Sequence, residues 1–131
     1  MYERIYLLLQ SQLDPDHRVH LLRSSEDPGL AEFFKIMQAY GATSMEPNGN
    51  IYVQIDDARG ASKGTWLEEF AHALQFLQYG NIALSVDDQE RAMRELEVAE
   101  CLLKQADRLH LTQTDVDTSK KTVQYYEEYR K

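Results

Sequence analysis

Residues 65–79 read T-W-L-E-E-F-A-H-A-L-Q-F-L-Q-Y, and this stretch decides how the rest of the chain is interpreted. At ~100° per residue its apolar and polar side chains separate, which predicts an amphipathic helix that ends at Gly80. The predicted apolar face consists of Trp66, Leu67, Phe70, Ala73, Leu74 and Leu77. The opposite face is polar and carries Glu68, His72, Gln75 and Tyr79, with Glu69 beside it.

The polar face of this helix offers a pair of metal-ligand side chains. Glu68 and His72 are four residues apart, so they project side by side and can bind one ion. Glu69 can then reach a water held at that ion. Two other interpretations stay open: a T-x-x-E capping box in which Thr65 and Glu68 close the helix start, or a solvated face. Against a solvated face, no Lys or Arg occurs over residues 64–90, whereas exposed helix faces usually mix both charges.

Residues 87–109 predict a second, longer helix, and Glu95 lies within its apolar face. An ionised carboxylate buried there without a partner is very costly, so Glu95 should have a partner. One solution is a salt bridge, with Arg91 or Arg94 among the local candidates, or a partly exposed groove position. The other is a metal ion shared with the ligand pair of the first helix. Three protein ligands and a water are typical of catalytic zinc sites, whereas structural sites are closed.

The remaining sequence predicts an α+β fold with a small sheet. The tetrapeptide P-N-G-N at residues 47–50 marks the turn of a β-hairpin over residues 42–57, whose extended arm could align a peptide by backbone pairing. Asp27 is a plausible N-cap for a helix that Gly41 ends. The other predicted elements are a strand at residues 18–23 and helices at residues 2–13 and 114–130. A length of 131 residues allows one domain, residues 1–131.

Composition restricts the partners that this chain is expected to bind. It has 14 Lys or Arg and 22 Asp or Glu, a net charge of −8, which argues against a nucleic acid or an anionic membrane as the main partner. The apolar run at residues 5–9 is too short for a signal peptide or a membrane span, so we expect a soluble protein without membrane insertion. The single cysteine, Cys101, excludes an intrachain disulfide. Surface or packing positions are expected for the remaining histidines, His17, His20 and His110.

The segment E-E-F-A-H-A-L-Q at residues 68–75, followed by E-L-E-V-A at residues 95–99, resembles a known pattern. That pattern, E-E-x-x-H-x-x-Q … E-x-E-A, marks zincin-like metallopeptidase domains, many of them at the C-termini of bacterial RHS and other polymorphic toxins. It is similar in turn to the gluzincin arrangement, in which a glutamate on a later helix completes an H-E-x-x-H site. Two positions differ: Glu68 replaces the first histidine of gluzincins, and Val98 replaces the usual alanine.

The resemblance implies a helix-rich, zincin-like domain in which a hairpin or small antiparallel sheet precedes the active-site helix. Its motif core covers roughly residues 50–105. Glu69 takes the place of the general base. The implied metal ligands are Glu68, His72 and Glu95. One divalent ion is expected, zinc first, with manganese as the alternative because a glutamate replaces a histidine.

The function implied is that of a metal-dependent hydrolase, a metallopeptidase-type toxin or effector domain that acts on a protein or peptide. Such a domain would be cytoplasmic or delivered as part of a larger exported toxin, with an immunity protein as a partner. Gln75, which matches the family glutamine, and Tyr79, on the same stripe, are expected at the substrate or the oxyanion. The alternative is a catalytically inactive, zincin-like protein-interaction domain in which Glu68 caps its helix and Glu95 is salt-bridged.

Overall fold

A small mixed sheet lies beside the helices of this fold. Its strands are β1 (Val19–Arg23), β2 (Gly41–Met45) and β3 (Ile51–Ile55). The structure is a computed structural model that describes residues 19–80 and 88–130. The strand order is β1-β3-β2, with β3 antiparallel to β2 and parallel to β1. The predicted hairpin is confirmed, and Gly49 adopts φ +91° in its turn, as an Asn-Gly signal requires.

Helix α1 (Pro28–Met37) follows β1 and begins where the sequence predicts. The Asp27 carboxylate caps it by accepting hydrogen bonds from two N–H groups of the first turn. The helix ends earlier than expected because Gln38 adopts the left-handed conformation, at φ +55°. Gly41, expected to stop this helix, is instead the first residue of β2.

Helix α2 (Lys63–Tyr79) contains the stretch from which the fold was predicted. It starts earlier than predicted because Ser62 is its N-cap, and the Ser62 hydroxyl accepts a hydrogen bond from the Thr65 N–H at 3.2 Å. The alternative capping box between Thr65 and Glu68 is therefore wrong, since Glu68 lies in the second turn of the helix. The predicted end of the helix at Gly80, where φ is +64°, is confirmed.

Three further helices follow: α3 (Asp88–Lys104), α4 (Ala106–Leu109) and α5 (Gln113–Tyr126). The single helix predicted over residues 87–109 is divided, because Gln105 leaves helical geometry with φ −103° and ψ 9°. The helix predicted at residues 2–13 and His17 lie outside the described residues. In the part of the chain that the structure describes, every helix is too short or too polar to cross a membrane.

The main core lies between one face of the sheet and α2. Along β3, buried and half-buried residues alternate, as in a strand whose one face is covered. Trp66, Phe70 and Ala73 of α2 pack on this face, which confirms the centre of the predicted apolar face. At its edge the prediction is wrong: Leu74 is 43% exposed, whereas the polar Gln75 is only 4% exposed. The reason is that α3 covers the polar side of α2.

A layer of helices completes the fold on the far side of α2. Helix α3 contacts both α2 and α5. Its buried apolar side chains are Ala92, Leu96, Val98, Ala99 and Leu102. The described chain is thus a helix-rich α+β fold with a small sheet, as predicted. Because α2 meets α3 through its polar face, Glu68 and His72 come to lie beside Glu95.

Candidate metal centre

Glu68, His72 and Glu95 form a triad whose ligand atoms all lie within 4.8 Å of one another. His72 Nε2 is 3.5 Å from Glu95 Oε2 and 4.0 Å from Glu68 Oε1. Ligands held at ~2.0–2.2 Å from a tetrahedral ion are themselves about 3.3–3.6 Å apart, so these side chains need only small rotations to bind one. One nitrogen and two carboxylate donors suit zinc and manganese alike. A possible metal-binding triad is therefore present at the residues that the sequence predicts.

The partner of Glu95 is His72, and not one of the two arginines that the sequence suggested. Its carboxylate faces His72 across the helix interface. Within residues 19–80 and 88–130, Arg91 and Arg94 form no ion pair with it. The misplaced carboxylate in the apolar face of α3 is thus explained by the cluster with α2, and the salt-bridge alternative within α3 is not what the structure shows.

Gln75 forms a hydrogen bond with the nitrogen of the His72 ring that faces away from Glu68 and Glu95. His72 Nδ1 donates to Gln75 Oε1 at 2.9 Å, while the Gln75 amide donates to the Arg94 carbonyl at 2.9 Å and to Glu97 Oε1 at 2.8 Å. Since both acceptors on α3 require the amide N–H₂, the Gln75 carbonyl must face the ring. Nδ1 then carries a proton, and Nε2 is the nitrogen directed at the two carboxylates. A metal ion would bind there by displacing the second proton of the ring.

This arrangement gives the predicted substrate residues a different position. Gln75 is buried, and both ends of its amide are engaged by His72 and α3. Tyr79 places its hydroxyl 3.4 Å from Glu97 Oε2, and its ring lies under the Arg94 guanidinium, 4.1 Å from the ring centroid. The cavity beside the triad is lined by other residues. Gln75 and Tyr79 therefore support the site from behind.

Glu69, the predicted general base, is buried beside the triad and lines the same cavity. The Thr43 hydroxyl of β2 lies 2.8 Å from Glu69 Oε1, within donating distance. Gly41 allows this close approach of strand and helix, because a Cβ there would lie 2.7 Å from Glu69 Cγ. The strand thus fixes the position of the carboxylate on the side away from α3.

Burial and mutual repulsion give this cluster unusual proton affinities. Burial, reinforced by the Glu68 charge, raises the pKa of Glu69 to about 7, against the opposing effects of His72 and Thr43. Burial alone would lower the pKa of His72, but the hydrogen bond and charge of Glu95 outweigh it and raise that pKa to about 9. The pKa of Glu68 is also raised, chiefly by burial. The metal-free cluster therefore holds protons that a divalent cation would displace.

A cavity of about 500 Å³ opens beside the triad. Residues 41–43 of β2 line one part of it, and Arg91 and Arg94 of α3 line another. Among the described strands β2 is at the edge of the sheet, so its outer side is available for backbone pairing. The cavity therefore combines possible metal ligands, a buried carboxylate and a strand edge.

Sequence reasoning missed several residues of this site. Thr43 and Gly41 carry no recognisable signal, because only the register of the hairpin brings them to Glu69. Glu97 had a signal, since it is the second glutamate of the E-x-E segment, but no role was assigned to it. Tyr126 of α5 is near enough that the Glu95 charge, after burial, raises its pKa. The other described histidines take up unrelated positions: His20 stacks on Tyr52, and His110 is exposed.

Comparison with known proteins found no match, so the function is inferred from the geometry of the site. No family model matches the chain, and neither the curated proteins nor the solved structures provide a match. The similarity to zincin-like domains therefore rests on the motif residues themselves. In the structure Glu68, Glu69, His72 and Glu95 line one cavity, and Gln75 hydrogen-bonds His72 from behind it.

Proposed function

We propose that this protein is a metal-dependent hydrolase of the metallopeptidase type, with one divalent ion held by Glu68, His72 and Glu95. The observation that carries the proposal is the convergence of this triad and the buried Glu69 on one cavity. Three protein ligands leave a position for water or substrate, as in catalytic zinc sites. Zinc fits the donor set, and the two carboxylates favour manganese more than histidine ligands would.

A divalent ion in this triad would supply a Lewis acid for the substrate carbonyl and acidify an attacking water. Glu69 would accept the proton of that water and return it to the leaving amine. Glu69 suits this role because it is buried beside the triad and lines the same cavity. The Thr43 hydroxyl holds the carboxylate in place, and Gln75 keeps His72 Nε2 directed at the triad.

A peptide is the proposed substrate because an edge strand borders the cavity. Residues 41–43 of β2 line it, and an extended peptide could pair with the outer side of this strand. The toxin or effector role, delivery within a larger exported protein and an immunity partner are supported only by the motif resemblance. They are proposed as the biological setting of the hydrolase.

Glu69→Gln tests the proposal because it removes the base and keeps the shape of the side chain. The variant should bind as much zinc as the parent protein, while hydrolysis of a mixed peptide pool falls by about 10²–10⁴-fold. Glu32→Gln, at an exposed position of α1, is the matched control and should leave hydrolysis unchanged. Equal activity of Glu69→Gln and Glu32→Gln would remove Glu69 as the base.

A specific observation also favours the second candidate, an inactive interaction domain. Glu68 and Glu95 can form ion pairs with a protonated His72 without any metal, and the raised pKa of about 9 keeps this histidine charged at pH 7. In that case the cluster is a structural ion pair between two helices. Added zinc would then leave the thermal stability of the protein unchanged, whereas a metal site predicts a stabilisation that increases with zinc concentration.

A further inference from the structure

The cavity beside the triad contains two arginines that the proposed chemistry does not use. Arg91 and Arg94 of α3 are three residues apart, so they lie on the same side of the helix. Both line the cavity together with Glu68, Glu69 and Glu95. Cationic and anionic side chains thus face the same space.

Neither arginine has an ion-pair partner among the residues that the structure describes. Arg94 stacks on Tyr79, and its Nε atom is buried without a hydrogen-bond acceptor. The nearby Glu95 faces His72 instead. Arg94 Nε is enclosed by protein, so a molecule in the cavity would meet the other guanidinium nitrogens of Arg94 and the exposed side chain of Arg91. Because no described carboxylate pairs with either arginine, an anionic acceptor is expected on a bound molecule.

The net charge of the cavity with a metal ion bound indicates the charge that the bound molecule should carry. A divalent ion would neutralise the Glu68 and Glu95 carboxylates. One anionic side chain, Glu69, then faces the two guanidinium groups. Guanidinium groups bind carboxylates in a planar, two-point geometry that a neutral amide cannot match. The surplus positive charge therefore favours an anionic group of the substrate.

We infer that Arg91 and Arg94 bind a carboxylate of the substrate, so that the cavity selects peptides with a carboxylate close to the cleaved bond. This inference rests on the proposed hydrolase and deepens it by naming its substrate class. The carboxylate has two possible sources, the C-terminus of a peptide or an Asp or Glu side chain. Both present the same chemistry to the arginines.

The binding test uses glutarate and its half-amide glutaramate as probes of the zinc-loaded protein. Glutarate offers one carboxylate to the ion and a second to the arginines that line the same cavity, and glutaramate lacks the second charge. Titration calorimetry should show glutarate binding about tenfold more tightly. Arg91→Gln and Arg94→Gln should abolish this preference, Arg91→Lys should keep part of it, and Lys104→Gln, exposed at the end of the same helix, should keep all of it. Equal binding of the two probes to the parent protein would overturn the inference.

The hydrolysis test separates the two sources of the carboxylate. Peptides are compared in pairs, free acid against amide at the C-terminus, and Glu against Gln beside the cleaved bond. Arg91→Gln should lower kcat/KM about tenfold for the carboxylate member of one pair and leave its neutral partner unchanged. If neither pair shows a preference, the arginines do not select the substrate.

Zinc content is measured on every variant, because it distinguishes failure of the proposed hydrolase from failure of carboxylate binding by Arg91 and Arg94. Zinc bound without any carboxylate preference removes only the role of Arg91 and Arg94. Failure of the parent protein to bind zinc removes the hydrolase and this inference together. Should Arg94→Gln lose zinc by disturbing the stack on Tyr79, the exposed Arg91 decides the outcome alone.

Discussion

Replacing Gln75 by methionine tests whether this residue supports His72 or contacts the substrate. Methionine has nearly the same size but cannot form the hydrogen bonds of the amide. The change leaves His72 Nδ1 without its acceptor. The Arg94 carbonyl keeps the hydrogen bond of its own helix, and the exposed Glu97 carboxylate can turn to water. One buried polar group left unpaired costs about 1–3 kcal/mol, so the free energy of unfolding should fall by about that amount.

The same substitution should weaken metal binding without touching a ligand. His72 loses the acceptor that keeps its proton on Nδ1, so its ring is no longer directed towards Glu68 and Glu95. Loss of such a supporting hydrogen bond typically lowers metal affinity about 10–100-fold. Competition with a chromophoric chelator measures this affinity, and urea unfolding of the metal-free protein measures the stability.

Gln78→Met is the matched control, because Gln78 is exposed on the same helix. It should change neither zinc affinity nor stability by more than about 0.5 kcal/mol. If Gln75→Met binds zinc normally and only raises KM, Gln75 contacts the substrate, as its position on the polar stripe suggested, and the supporting role derived from the hydrogen bonds is wrong.

The remaining predictions concern close contacts and protons at the site. Gly41→Ala should destabilise the protein by about 1–3 kcal/mol in urea unfolding and lower hydrolysis, because its Cβ would meet Glu69 Cγ at 2.7 Å. Gly64→Ala should destabilise it similarly without changing zinc affinity, because its Cβ would meet Asp115 Cγ at 2.5 Å. Without metal, the free energy of unfolding should fall as the pH rises from 4.5 to about 9, because Glu69 and His72 have raised pKa values when folded, about 7 and about 9, against 4.5 and 6.5. Their stabilising contribution is complete below the unfolded values and disappears above the folded ones; unchanged stability across this range would contradict the cluster. Zinc binding at pH 7 should release about one proton, chiefly from His72, as calorimetry in two buffers of different ionisation enthalpy would show.

Local patterns predicted most of the fold. The hairpin followed from Asn-Gly and the helices from their apolar periodicity, because these signals act over a few residues. The parallel pairing of β1 with β3 was not predicted, since nothing local specifies a partner so distant in the chain. The start of α2 was misplaced because Ser62 and Thr65 are both good N-caps, and only the structure distinguishes them.

The candidate metal ligands could also be predicted, because two of them have helical spacing and the third is a charged residue at an apolar position. Glu68 and His72 are one helical turn apart, and Glu95 interrupts an apolar face. The supporting contacts could not be predicted, because they depend on how α2 packs against α3 and β2. Gln75 illustrates this: its position on the polar stripe suggested the substrate, but the approach of α3 buries it behind His72.

That Glu68, His72 and Glu95 hold one divalent ion is tested most directly by elemental analysis of protein purified without a metal-affinity tag. His72→Ala and Glu95→Ala are measured alongside the parent protein. About one zinc or manganese ion per chain is expected in the parent and none in either variant, because two remaining ligands do not retain the ion. No bound metal in the parent protein, even after incubation with excess zinc, would contradict the metal centre and leave an ion-paired cluster between two helices.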